Sequence, residues 1–132
     1  MRVLITGSKG QLGSEIKDLA SDYKNLECIF TDLPELDIRD KESLNTFIIN
    51  QNINTVINCA AYTEVDQAED EVDLTLETNL NIVSNLCELS QRFQFKIVQL
   101  SSDYVFGGNF ENSLLTELSC TSPSVSYTHL TL

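Results

Sequence analysis

MRVLITGSKGQLG, residues Met1 to Gly13, decides the fold. Val3, Leu4 and Ile5 are apolar without interruption, the pattern of a strand buried on both faces. The run stops at Thr6-Gly7, and helical periodicity resumes after a loop whose glycines fall at Gly7, Gly10 and Gly13. Each glycine of this G-x-x-G-x-x-G spacing has a separate purpose. Gly7 permits the tight turn off the strand, Gly10 leaves room for a pyrophosphate against the backbone, and Gly13 lets the helix pack closely on the strand. The first-turn amides of the helix have no intrahelical acceptor, and the helix dipole favours negative charge there, so a phosphate is the expected guest.

Outward from this stretch, apolar runs alternate with helical stripes. Leu12, Ile16, Leu19 and Ala20 mark a helix over 12–23, and Glu27 to Thr31 is a second short apolar run ending at Asp32. An acid there, about 20 residues past the glycine loop, is placed either to hold an adenosine ribose or to cap a turn. Leu33 to Asp40 is a turn region containing Leu36-Asp37-Ile38, and Asp40 opens a helix through Leu44, Phe47 and Ile48. Asn54 to Asn58 is a third strand, followed by the small residues Cys59-Ala60-Ala61 before Tyr62-Thr63. The acidic stretch from Val65 to Asp73 reads as a solvated helix face or a loop. Leu76, Leu80, Val83, Leu86, Cys87 and Leu89 predict one long helix over 74–93. Lys96 to Leu100 is a fourth strand and an exposed edge, entering Ser101-Ser102-Asp103-Tyr104-Val105-Phe106. The whole is an α/β, Rossmann-type, doubly wound parallel sheet with helices on both faces and right-handed crossovers.

Composition narrows the partners. The 132 residues suit one domain, and 42% hydrophobic content is enough for a core. With 8 Lys+Arg against 20 Asp+Glu, a net charge of -12 argues against nucleic acid or an anionic membrane. Cys28, Cys59, Cys87 and Cys120 are scattered, and His129 is the single histidine, so zinc spacing and a disulfide framework are both missing. Buried thiols in a reducing cytoplasm are expected. Met1-Arg2 leads straight into a strand, no run reaches transmembrane length, and the protein reads as cytoplasmic.

Three segments together resemble the extended short-chain dehydrogenase/reductases, and among them the dTDP-4-dehydrorhamnose reductase family. They are the glycine loop, Asn58-Cys59-Ala60-Ala61-Tyr62-Thr63-x-Val65-Asp66-x-Ala68-Glu69, and Ser101-Ser102-Asp103-Tyr104-Val105-Phe106. The resemblance runs from Met1 to about Glu117. It implies NADPH or NADH as cofactor, Mg2+ in the intact family member, a dTDP-sugar substrate and a homodimer at full length. It implies that Gly7, Gly10, Gln11, Leu12 and Gly13 meet the pyrophosphate, Asp32 the ribose, and Asp37 and Ile38 the adenine. Ala61, Tyr62 and Thr63 fall beside the nicotinamide ribose, Asn79 near the active site, and Ser102 with Asp103 on the substrate side. Ser102 matches the hydroxyl of a catalytic Ser/Thr–Tyr–Lys set, although two adjacent serines at a strand end also tie up loops.

The tyrosine position of that set falls at Tyr127, but the lysine position falls at Thr131, which carries no charge. Residues 1–119 therefore read as an incomplete NAD(P)-binding domain, and 120–132 as an atypical Ser/Thr-rich tail foreign to it. Three readings follow. One is a fragment of a reductase converting dTDP-4-dehydrorhamnose to dTDP-L-rhamnose, with phosphate-loop geometry kept and little turnover. Another is a non-catalytic regulator resembling the regulatory subunit of methionine adenosyltransferase, and an unstable fragment that binds nothing is a third possibility. Asp32 favours a free ribose 2′-hydroxyl and Lys9 offsets it, which leaves NAD against NADP open.

Overall fold

The computed structural model describes residues 1–106, 114–116 and 118–122. Four parallel strands, β1 (Arg2–Thr6), β2 (Glu27–Phe30), β3 (Thr55–Asn58) and β4 (Lys96–Gln99), lie in the order β2-β1-β3-β4. Leu4 sits opposite Ile29 on one side and Val56 on the other, and Val56 opposite Ile97. Helix α1 (Gln11–Ala20) joins β1 to β2, and α2 (Lys41–Gln51) joins β2 to β3. From β3 the chain passes through α3 (Val65–Ala68), α4 (Val72–Leu76), a π-helical turn (Glu77–Asn81) and α5 (Ile82–Phe93) to β4. The order reverses between β1 and β3, so the carboxyl ends of these two strands flank a topological switch point, where ligands of open α/β sheets bind.

The two faces of the sheet are covered unequally. On one, Leu4 and Val56 join Leu44 and Ile48 of α2 and Ile82, Leu86 and Leu89 of α5 in a single buried cluster. Leu36 and Ile38, from the connection after β2, belong to the same cluster, as do Ile53 and Phe95. On the other face α1 places Ile16 and Ala20 against Val3, Ile5 and Cys28 around an apolar cleft. Leu12 and Leu19 stay exposed, so the expected stripe is only partly covered, and at the edge strand β4 Val98 is 48% exposed.

Local signals account for most boundaries. Asp40 caps α2 by accepting the amides of Glu42 (3.1 Å) and Ser43 (3.4 Å), as its position before the helix predicts. The helix ends at Asn52, held at φ 48°. The predicted single helix over 74–93 is interrupted by the π turn. That turn inserts a residue into the helical repeat and shifts the phase of what precedes it relative to α5, while within α5 the buried stripe is Ile82, Val83, Leu86 and Leu89 and Cys87 lies exposed beside it. The acidic stretch resolves into short helices and a turn. All four cysteines are free, but Cys87 and Cys120 are exposed and Cys28 and Cys59 half-buried, so the expectation of buried thiols is corrected.

A row of polar side chains crosses the three strands that follow one another from β1 to β4. Thr6 donates its hydroxyl to Asn58 (2.6 Å), and the Asn58 amide donates to Gln99 (2.8 Å). Thr6 and Asn58 are each 1% exposed, so the row fixes the register directly beneath the loops that follow β1 and β3.

Candidate functional site

The glycine loop is built by close approach. Gly7 has φ +62°, and a Cβ there would lie 2.6 Å from the Ala60 amide nitrogen. Only glycine lets the turn after β1 rest on the backbone after β3. A Cβ on Gly13 would lie 2.3 Å from the Gly7 carbonyl oxygen and 2.7 Å from Ser8 Cα. Gly13 thus packs the helix onto the loop itself rather than onto the strand. Gly10 occupies the N-cap of α1 without a side-chain cap, and its amide closes the loop onto the Gly7 carbonyl (3.1 Å). The amides of Gln11 and Leu12 are left at an uncapped helix start, the arrangement that receives an anion.

On one side of the Gly7–Ala60 contact is a cleft of about 140 Å³ lined by Thr31, Asp32, Leu36, Asp37, Ile38 and Arg39, among others. Asp32 accepts the Lys9 amide (2.9 Å) and the Leu33 amide (2.9 Å). Of the two sequence readings of this acid the structure shows the turn cap, and the same carboxylate also fastens the glycine loop to the end of β2. Ser8 adds a second tie by donating its amide to the Thr31 carbonyl (3.2 Å). Asp37 is held in a fork by Arg39, Nε to Oδ1 at 2.9 Å and Nη2 to Oδ2 at 2.7 Å. That guanidinium keeps the Asp37 carboxyl below the usual aspartate range. Sequence reading missed Arg39; an arginine two residues after an acid in a turn is its only signal.

On the other side is a cleft of about 180 Å³ lined by Leu12, Cys59, Ala61, Thr63, Asn79 and Ser102, among others. Ala60 lines both clefts. Ala61, Thr63 and Ser102 therefore share one cleft, with Leu12 reaching it from the first turn of α1. The Tyr62 side chain turns elsewhere, its hydroxyl donating to Glu71 (2.9 Å), which holds the phenol above its ordinary pKa. Asn79 explains the π turn. Its side chain accepts the Tyr62 amide (2.8 Å) and donates to the Tyr62 carbonyl (3.0 Å), clamping the backbone that follows β3. Burial pushes the Cys59 thiol up, away from the thiolate form. After β4, Asp103–Phe106 forms a 3₁₀ turn, and the Ser122 amide reaches back to the Val105 carbonyl (2.8 Å). The Asp103 side chain and Tyr127 lie outside the described residues.

These residues fit a dinucleotide. Two clefts meet over a contact too tight for any side chain, an uncapped helix start lies beside them, and the buried Thr31 hydroxyl has no partner at the wall of the first. Among the described residues no three His, Cys, Asp or Glu side chains gather to hold a metal. Nor is any described helix long and apolar enough to cross a membrane.

Comparison with known proteins bears on the same residues. A family model described as the RmlD substrate binding domain matches residues 1–131. A dTDP-4-dehydrorhamnose reductase of Aggregatibacter actinomycetemcomitans is 42% identical over 107 residues, covering 81% of this chain and 36% of the relative. The crystal structure of a dTDP-4-dehydrorhamnose reductase from Clostridium acetobutylicum superposes with TM-score 0.89 at 40% identity, over 96% of this chain and 45% of that one. A Bacillus anthracis dTDP-4-dehydrorhamnose reductase, solved in complex with NADP, gives TM-score 0.87 at 33% identity, over 96% and 44%. The chain spans between a third and a half of the length of these relatives. They favour the reductase reading over the regulatory-subunit one.

Proposed function

Because the chain belongs to the family of the RmlD substrate binding domain, that of the dTDP-4-dehydrorhamnose reductases, we propose that it forms the dinucleotide-binding part of an NAD(P)H-dependent nucleotide-sugar reductase. Residues 1–119 are the binding unit in this reading. The observation that carries it is the pair of clefts separated by the Gly7–Ala60 contact, with Ser102 in the second.

Each residue then has a task. The Gln11 and Leu12 amides hold the pyrophosphate across that contact. Asp32 accepts from the adenosine ribose, while Leu36, Asp37 and Ile38 wall the adenine. Ala61 and Thr63 flank the nicotinamide ribose, and Tyr62 contributes backbone held by Asn79. Bound nicotinamide supplies the hydride that turns the C4 ketone of a dTDP-4-dehydro-6-deoxy sugar into an alcohol. The Ser102 hydroxyl donates to the ketone oxygen as negative charge develops on it, and Asp103 meets the sugar. Tyr127 is the proton donor by position. Thr131 stands at the lysine position and carries no charge, so it cannot take the lysine's part beside that phenol, and in this reading binding outlasts turnover in this chain. Free cysteines and the acidic surface accord with a cytoplasmic enzyme.

The test is to follow nicotinamide absorbance with dTDP-4-dehydrorhamnose, using this chain and a version extended with a Tyr-x-x-x-Lys helix. The extended version should oxidise the cofactor, and Ser102→Ala should slow it by about 10²-fold. Cofactor binding with no turnover in the extended version would overturn the reductase reading.

A further inference from the structure

Tyr62 stands between two residues of the second cleft and is held outside it. Ala61 and Thr63 line that cleft, and the half-buried Tyr62 does not. A twist of this segment would exchange the two sides and bring the phenol ring to where Ala61 and Thr63 stand. Two sets of bonds oppose it. Asn79 takes the Tyr62 amide and carbonyl, and at the other end the hydroxyl donates to Glu71 Oε2 (2.9 Å), with Gln67 Oε1 a longer acceptor (3.3 Å). Glu71 is itself firmly placed at the turn between α3 and α4. Its amide donates to the Gln67 carbonyl (2.8 Å), and its carbonyl accepts both the amide and the hydroxyl of the fully buried Thr75 (2.9 Å each). Glu64 adds a second negative charge near the phenol, which therefore stays protonated and remains a donor. Within the acidic stretch over 65–73, this one carboxylate has a task that a solvated surface does not require.

We propose that Glu71 is a positioning residue for the second cleft: by anchoring the Tyr62 hydroxyl outside, it keeps Ala61 and Thr63 facing the nicotinamide half of a dinucleotide. This rests on the dinucleotide reading above. Asn79 fixes the backbone of the same tyrosine, so loss of the hydroxyl anchor loosens the cleft wall without collapsing it. The Glu71 side chain is exposed, and replacing it leaves the core untouched.

The experiment is calorimetric titration of the whole chain with NADH and with ADP, since ADP reaches the first cleft and the helix start but stops short of the second. Wild type is compared with Glu71→Ala, Glu71→Gln, Tyr62→Phe and the double variant Tyr62→Phe/Glu71→Ala, and circular dichroism checks the fold of each. Glu71→Ala should weaken NADH by about threefold, the worth of one exposed hydrogen bond, while ADP binding stays unchanged. Glu71→Gln keeps an acceptor oxygen and should retain most of the NADH affinity. Tyr62→Phe should match Glu71→Ala, and the double variant should be no weaker than either, because all three lose the same bond. NADH binding untouched in Glu71→Ala, equal weakening of NADH and ADP, no rescue by Glu71→Gln, or additive losses in the double variant overturns the proposal while leaving the site intact. A wild type that binds neither NADH nor ADP overturns the dinucleotide reading on which it rests.

Discussion

Replacing Asn58 with alanine should cost far more than a typical polar substitution, and the structure says how much. Asn58 accepts the Thr6 hydroxyl at 2.6 Å and donates to Gln99 at 2.8 Å, with Thr6 and Asn58 both 1% exposed. Removing the amide strands the Thr6 hydroxyl in the interior, which costs about 1–3 kcal/mol. Gln99 is only half-buried and recovers a partner from water, so it adds little. A void the size of an amide adds about 1 kcal/mol. The expected loss is therefore about 2–4 kcal/mol, a large share of a stability that for most domains is roughly 5–15 kcal/mol. Thr6→Val alone should cost about 1–2 kcal/mol by leaving the Asn58 oxygen without its donor. Because one bond is shared, the double variant should fall short of the sum by about 1 kcal/mol. Urea unfolding followed by circular dichroism measures all three. Additive single effects, or a loss below about 0.5 kcal/mol in Asn58→Ala, would refute the claim that this row holds the strands in register.

Gly7→Ala should weaken dinucleotide binding by at least about tenfold and lower the melting temperature, since a left-handed alanine costs about 1–2 kcal/mol before its contact with Ala60 is counted; calorimetry and thermal unfolding check it. Asn79→Leu keeps the side-chain size but orphans the Tyr62 amide and carbonyl, so amide exchange at Tyr62 should accelerate and stability should fall by about 2–4 kcal/mol. Asp37 has its folded pKa depressed by Arg39, so its stabilisation is complete above the ordinary aspartate value of 3.8 and fades as pH falls through the lower folded value. Asp37→Asn should therefore lose less stability than wild type on acidification below about pH 4, as acid titration of the unfolding midpoint will show.

Much of this was legible because the deciding signals are local. The apolar run Val3–Ile5 and the β-branched run Thr55–Ile57 gave away strands of a sheet buried in its centre, and Asp40 announced α2 because a carboxylate before a helix satisfies its first amides. The glycine spacing was legible for the same reason, each glycine answering a backbone demand. What escaped was set by tertiary contact. The π turn exists because Asn79 must face the Tyr62 backbone, and no periodicity records a requirement that belongs to another segment. The tie from Asp32 to the Lys9 amide, and that from Lys9 to Glu35, depend on how the loop folds over β2. Exposure of Leu12 and Val98 depends on what covers the second face, which apolar character alone does not report.

The most direct test is nitrogen–proton correlation spectroscopy of the labelled chain during titration with NADH. Saturable shifts should concentrate at the Gly10, Gln11 and Leu12 amides, along Asp32 to Arg39, and at Ala61 to Thr63, while Asn50 to Ile53 at the opposite end of the sheet stay still. Shifts confined to that opposite end, or none at all at saturating NADH, would contradict a dinucleotide site built across the Gly7–Ala60 contact.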